Sequence, residues 1–183
     1  VFNHAKAIDA FKGDNPAEWK GCIQPLLGEQ KEEAKEKQPA LPHKRVGAFM
    51  AELRKREGMS ARALEFAILT AARSGEVRGA CWDEIDLDAA LWTIPAERDA
   101  IEGVKHSERG AKMRTPHLVP LSRQALGLLG QVHMLSGRYD LVFPGDHYHY
   151  KPMSENTVNA ALRRMGYDTK SEVCGHGFRA MAC

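Results

Sequence analysis

The chain has 183 residues, 43% hydrophobic and 27% charged, with a formal net charge of +2. That supports one ordinary domain plus a fragment, with a real hydrophobic core, and makes total charge a weak guide to partners. No apolar run reaches membrane-spanning length. Four scattered cysteines, Cys22, Cys81, Cys174 and Cys183, lack the spacing of a disulfide scaffold or a metal site, which fits reduced thiols in a cytosolic protein.

The chain opens at Val1 without a charged-then-apolar signal segment, as expected of a piece excised from a longer protein. Residues 1–12 carry Ile8 and Phe11 at helical spacing from His4 and Ala7, which predicts a short helix ending near Gly13. Asp14-Asn15-Pro16 is turn chemistry, and residues 17–21 make a brief helical turn with Trp19. Residues 29–38 mix both signs of charge with a single Ala, so they read as a solvated helix or linker. Pro39 and Pro42 stiffen the junction. The expected division is 1–28, then a linker over 29–42, then a larger domain over 43–183.

Val46, Phe49, Met50 and Leu53 predict an amphipathic helix over 43–57, stopped by Gly58. Ser60 is placed as the cap of a second helix over 61–72. That helix is apolar on most faces and so belongs at the centre of a domain. Arg73 then leaves the end of a buried helix, a rigid mounting for a cation.

Residues 82–87 alternate acidic and apolar side chains, a strand pattern. A turn at 88–90, a strand over 91–95 and a third over 116–121 complete a small antiparallel sheet. The connection over 96–114 is long and polar. Ser122 caps a helix with Ala125, Leu128, Leu129, Val132 and Leu135 on one stripe. Residues 141–144 are a short extended segment. Ser154 is the expected cap of another helix, with Val158, Ala161, Leu162 and Met165 inward, closed by Gly166. A last helix starts near His176. The fold class is therefore α+β, mostly helical with a three-stranded antiparallel sheet.

Cleaving a phosphodiester requires offsetting charge on its non-bridging oxygens with metal ions or with fixed cations and donors. No carboxylate cluster has metal spacing, so a metal-dependent nuclease is poorly supported. Arginine is the alternative, because its guanidinium stays charged and binds two oxygens at once. His147 and His149 could bind a metal if their loop bent suitably, but a polar or exposed turn explains them more simply.

Three stretches carry chemistry in order. The first is Arg73-Ser74-Gly75-Glu76-Val77-Arg78 with Trp82-Asp83-Glu84-Ile85-Asp86. The second runs from Trp92-Thr93-Ile94-Pro95-Ala96-Glu97-Arg98 to Lys112 and His117-Leu118-Val119-Pro120-Leu121. The third is His176-Gly177-Phe178-Arg179. Together they resemble the catalytic boxes of phage-integrase-type tyrosine recombinases, as found in prophages and integrative islands. The resemblance covers essentially the whole chain, with 1–28 similar to the end of a core-binding domain.

By that resemblance Arg73 and Arg179 clamp the scissile phosphate, Glu76 helps orient the site, and His176 accepts a proton or hydrogen-bonds the phosphate. Lys112 protonates the leaving 5′-oxygen, with Lys105 as a rival because 99–111 lengthens the hairpin connection. The plain alternative for Arg73 is a surface ion pair with Glu76. Lys44, Arg45, Arg78, Arg163 and Arg164 are candidate DNA contacts, Arg78 equally a structural ion-pair residue. The family's tyrosine nucleophile follows its last box, whereas Tyr139, Tyr148, Tyr150 and Tyr167 all precede His176. The resemblance thus implies a site-specific recombinase acting on double-stranded DNA as a tetramer, with accessory factors, in the bacterial cytoplasm at the nucleoid. It needs no cofactor or metal, and the 183-residue piece is expected to be inactive by itself. The alternative is a non-catalytic DNA-binding homologue.

Overall fold

In the computed structural model, residues 8–10, 12, 23, 38–99 and 115–181 are described. The chain divides into two units, Val1–Lys37 and Gln38–Cys183. Nearly all of the first unit, including its expected helices, lies outside the described residues. The elements with assigned bounds all belong to the second unit.

A 3-10 turn at His43–Arg45 runs into α1, Val46–Arg54, which buries Phe49, Met50 and Leu53. The expected single helix over 43–57 is thus shorter and starts with a tighter turn. Next comes α2, Met59–Thr70. Its cap is Gly58, not Ser60. Gly58 turns the chain with φ 96, a conformation that an L side chain rarely adopts, so the helix begins two residues earlier than the serine suggested. It also ends earlier than expected. The Thr70 hydroxyl donates to the Phe66 carbonyl at 2.7 Å, and Ala71 enters the left-handed region with φ 51.

α2 lies between two hydrophobic clusters. Ala63, Phe66 and Ala67 face one, with Val77, Trp92, Ile94, Leu129, Val132 and Phe143. Ala61 and Leu64 face the other, with Phe49, Leu53, Val158, Leu162, Val173 and Phe178. A helix that packs on two sides must be apolar over most of its circumference, which is what its sequence has.

The sheet is antiparallel in the order β1 (Ile85–Asp86), β2 (Leu91–Ile94), β3 (His117–Pro120). Trp92 pairs with both Ile85 and Val119, and Ile94 pairs with His117. Trp92, Ile94 and Val119 are buried while Thr93 and Leu118 face out, the two-residue alternation of a half-covered sheet. The first strand is shorter than expected. Trp82–Glu84 form a 3-10 turn instead, and two of its side chains have partners elsewhere. The Trp82 indole donates to the Ser136 carbonyl, and Glu84 accepts from the Trp92 indole at 2.9 Å.

Four more helices complete the unit: α3 (Ser74–Arg78), α4 (Arg123–Ser136), α5 (Thr157–Arg164) and α6 (Gly175–Met181). Ser122 caps α4 as expected, accepting from the Ala125 amide. Leu135, expected on the inward stripe of α4, is instead 62% exposed, because the buried face runs Ala125, Leu128, Leu129, Val132 and Ser136. Asn156 rather than Ser154 occupies the cap position of α5, while the Ser154 carbonyl accepts from Thr157. Gly166, at φ 91, turns the chain after α5.

Residues 38–41 pack against α6 and the loop before it. The Cys174 amide donates to the Pro39 carbonyl at 3.1 Å, and Leu41 is buried. The carbonyl passes so close to Gly177 that a Cβ there would lie 1.9 Å from its oxygen. A glycine is therefore required inside this box for steric reasons, not for backbone freedom.

Candidate active site

The site is organised by the turn at 71–73. α2 stops, Ala71 reverses the chain in the left-handed conformation, and Arg73 becomes the extended residue that caps α3. Glu76 holds it there. Its carboxylate accepts from the Arg73 amide at 2.8 Å and from Arg73 Nη1 at 2.7 Å. The acid is 3% exposed and the arginine side chain 34% exposed. The pair is therefore not the loose surface contact weighed as the plain alternative. A buried carboxylate anchors one part of the guanidinium and leaves the rest accessible.

The second arginine reaches the same turn from 108 residues away. Arg179, on α6, donates from Nη1 to the Ala71 carbonyl at 2.7 Å. That carbonyl has no helical partner, because the helix has just ended. Arg179 thereby closes the α2 terminus and is fixed two residues from Arg73. His176 lies one turn earlier on α6 and is exposed. Arg73, Glu76 and Arg179 thus meet at one turn, and His176 lies on the same helix as Arg179. Lys112 and its rival Lys105 lie outside the described residues.

The other candidates are distributed differently. Arg78 is buried, 4% exposed, and donates from Nε to the Met153 carbonyl at 2.7 Å. A buried guanidinium bonded to an interior carbonyl has the surroundings of a structural residue, one of the two roles expected for it. Lys44 and Arg45 are exposed on the 3-10 turn before α1. Arg163 and Arg164 are exposed at the end of α5, bonded to Thr169 and Ser60. Ser60 sits in the first turn of α2 and Arg73 follows its last, so Arg164 stands about 15 Å from the arginine corner at 1.5 Å rise per residue.

Arg98 closes the Trp92–Arg98 stretch of the second box, which assigns it no role of its own. It is 8% exposed, forms a salt bridge with Glu84 (Nη2–Oε2 2.8 Å), and donates from Nη2 to the Glu76 carbonyl at 3.3 Å.

Beside the sheet lies a cavity of about 750 Å³ whose lining includes Asp83, Glu84, Glu97, Asp99 and Asp140. Arg98, paired with Glu84, and His149 also line it. Cys81 lies on its wall. Burial, with Glu84 adding, pushes its thiol up to about 11. His149 stacks on Tyr139 at 4.3 Å, and Tyr148 and Tyr150 flank the Lys151 ammonium. Among the described residues, no three His, Cys, Asp or Glu side chains gather as metal ligands.

The sequence profile described as "Phage integrase family" matches residues 39–183. The chain belongs to the phage integrase family. Relatives agree with this membership. IntB of Escherichia coli (strain K12) is 57% identical over 147 residues, 79% of this chain and 37% of that protein. The integrase of Enterobacteria phage P4 is 57% identical over 146 residues, 79% of this chain and 33% of that protein. The chain thus spans about a third of the length of these relatives. Among solved structures, the Tn1549 transposon integrase in complex with a circular intermediate DNA superposes with a TM-score of 0.63 at 13% identity, over 97% of this chain and 60% of that one. A lambda integrase dimer bound to a COC' core site gives 0.56 at 14% identity, over 99% and 47%. At those identities the likeness concerns the fold, which is that of the tyrosine-recombinase catalytic domain.

Proposed function

We propose that this chain is the greater part of the catalytic domain of a site-specific DNA recombinase that integrates or excises a prophage or genomic island. The observation that carries the reading is the convergence of Arg73 and Arg179 on the 71–73 turn. A guanidinium presents five donors, so neither arginine is saturated by its single side-chain acceptor or carbonyl. Two such groups at one corner suit the two non-bridging oxygens of a phosphodiester and the charge that grows on them at the transition state. Glu76 keeps Arg73 from swinging away. His176, exposed on the same helix as Arg179, is the proton acceptor or phosphate hydrogen-bond partner. A lysine of the hairpin connection, Lys112 in preference to Lys105, protonates the leaving 5′-oxygen.

The scheme is transesterification. A tyrosine oxygen forms a bond to phosphorus as the bond to the 5′-oxygen breaks, leaving a 3′-phosphotyrosyl link and a 5′-hydroxyl. The hydroxyl of a partner strand then reverses the step. One phosphoester replaces another, so neither a nucleotide nor a metal is required. All four tyrosines precede His176, and the nucleophile of this scheme is not one of them. The 183-residue chain by itself is expected to be inactive in cleavage.

Double-stranded attachment-site DNA is the proposed substrate, bound by a tetramer with accessory factors, in the bacterial cytoplasm at the nucleoid. Solved structures of the same fold include one bound to transposon right end DNA. Lys44, Arg45, Arg163 and Arg164 are proposed as backbone contacts flanking the cleavage corner. The test is to incubate the full-length protein with a nicked attachment-site duplex in chelator and to look for a covalent protein–DNA band on a denaturing gel. A band is expected. Binding of the cognate duplex without any band would favour a non-catalytic DNA-binding homologue, and a band abolished by chelator would favour metal-dependent chemistry.

A further inference from the structure

Arg98 is a buried arginine that the proposed chemistry does not use. It stands just beyond β2, where the long hairpin connection begins. Its side chain turns back under the sheet. There it meets Glu84, whose side chain is 8% exposed and already accepts from the Trp92 indole. The same guanidinium donates to the carbonyl of Glu76, whose carboxylate holds Arg73. The contacts form one chain: Trp92 to Glu84, Glu84 to Arg98, Arg98 to the backbone of Glu76, and Glu76 to Arg73.

The room for this arginine is specific. A Cβ on Gly79 would lie 2.9 Å from Arg98 Nη1. Gly79 directly follows α3, so the helix that carries Glu76 ends in a gap that the guanidinium fills. Nη1 itself is buried without a hydrogen-bond partner among the described residues. A buried cation with an unsatisfied nitrogen is an inefficient way to stabilise a fold, since an apolar side chain could occupy such a space at lower desolvation cost. Arg98 does something an apolar side chain cannot, which is to hold the α3 backbone at hydrogen-bond distance from the sheet.

We infer that Arg98 is a positioning residue for phosphate binding: acting through the Glu76 backbone, it sets the place of Arg73 relative to the sheet. This rests on the reading of Arg73 as a phosphate clamp. Lysine is not equivalent here. It keeps the charge opposite Glu84 but lacks the planar fork that reaches both the carboxylate and the Glu76 carbonyl.

The test uses the full-length protein with Arg98→Lys and Arg98→Gln, alongside Arg73→Ala. Cleavage is measured at saturating DNA on two nicked duplexes, one with an ordinary scissile phosphodiester and one with a methylphosphonate there. The methyl group removes one charged oxygen, so a misplaced arginine matters less. On the phosphodiester, Arg98→Lys is expected to cleave at least about tenfold more slowly with DNA affinity within about threefold of the parent. On the methylphosphonate its rate should fall within about threefold of the parent's. Equal loss on both duplexes, or loss that tracks a fall in melting temperature, would make Arg98 a structural residue and overturn the inference. If Arg98→Gln does not fold, Arg98→Lys carries the test. Full activity of Arg98→Lys beside a crippled Arg73→Ala would sink the positioning role alone. Full activity of Arg73→Ala would sink the clamp itself.

Discussion

Arg73 and Arg78 bracket the same short helix, five residues apart, yet the fold uses them in opposite ways. Arg73 is fastened at one nitrogen to a buried acid and keeps the rest of its guanidinium accessible. Arg78 is buried and bonds a carbonyl 75 residues later in the chain. The contrast repeats at greater distance. Arg179 ties to the α2 terminus at the accessible corner, while Arg98 is enclosed between Glu84 and α3. The lesson is that a cation's chemistry is set by what its donors have left over, not by its charge. The accessible pair has donors to offer a ligand. The enclosed pair turns its bonded donors to protein carbonyls and carboxylates and offers none to solvent, so its loss should be felt as stability or alignment.

The strongest way to break the comparison is at the accessible pair. Arg73→Ala and Arg179→Ala in the full-length protein should each cut formation of the covalent DNA complex by roughly 100- to 1,000-fold, the usual cost of removing a transition-state donor. DNA affinity should fall far less. Equal losses in binding and cleavage would demote these residues to backbone contacts. At the enclosed pair the effect should appear in unfolding. Arg78→Met leaves the Met153 carbonyl unpaired, and urea denaturation should show a loss of about 1–3 kcal/mol. A variant as stable as the parent but unable to bind DNA would reverse its assignment. The smallest effect belongs to Arg164, exposed and bonded only to Ser60 among the described contacts. Arg164→Ala should weaken binding of any duplex by less than about tenfold and lower the salt slope of affinity by about one. A change confined to one DNA sequence would mean that it reads bases.

Much of the scaffold was legible in advance because the signals are local. The apolar run of α2 announced a helix packed on more than one side, and two clusters do enclose it. Ser122 followed by an apolar stripe announced a capped helix. The alternation around Trp92 and Val119 announced paired strands, and they pair. Where expectations failed, a competing interaction had won. Gly58 displaced Ser60 as the cap because its positive φ suits the turn. Leu135 lost its place on the inward face because the helix rotates the small Ser136 inward, where its hydroxyl bonds the Val142 carbonyl. Trp82 and Glu84 left the strand pattern because each had a partner elsewhere.

The sequence by itself determined the element types, the central place of α2 and the order of the three chemical boxes, since periodicity, caps and motif spacing are properties of neighbouring residues. It did not determine which arginines face solvent. Arg73, Arg78 and Arg98 have the same side chain and similar polar surroundings in the sequence. Their fates depend on Glu76, Met153 and Glu84, and burial is decided by whatever the chain later folds over each one. Only the tertiary structure brought Arg179 to the Ala71 carbonyl and left Arg98 enclosed beneath the sheet.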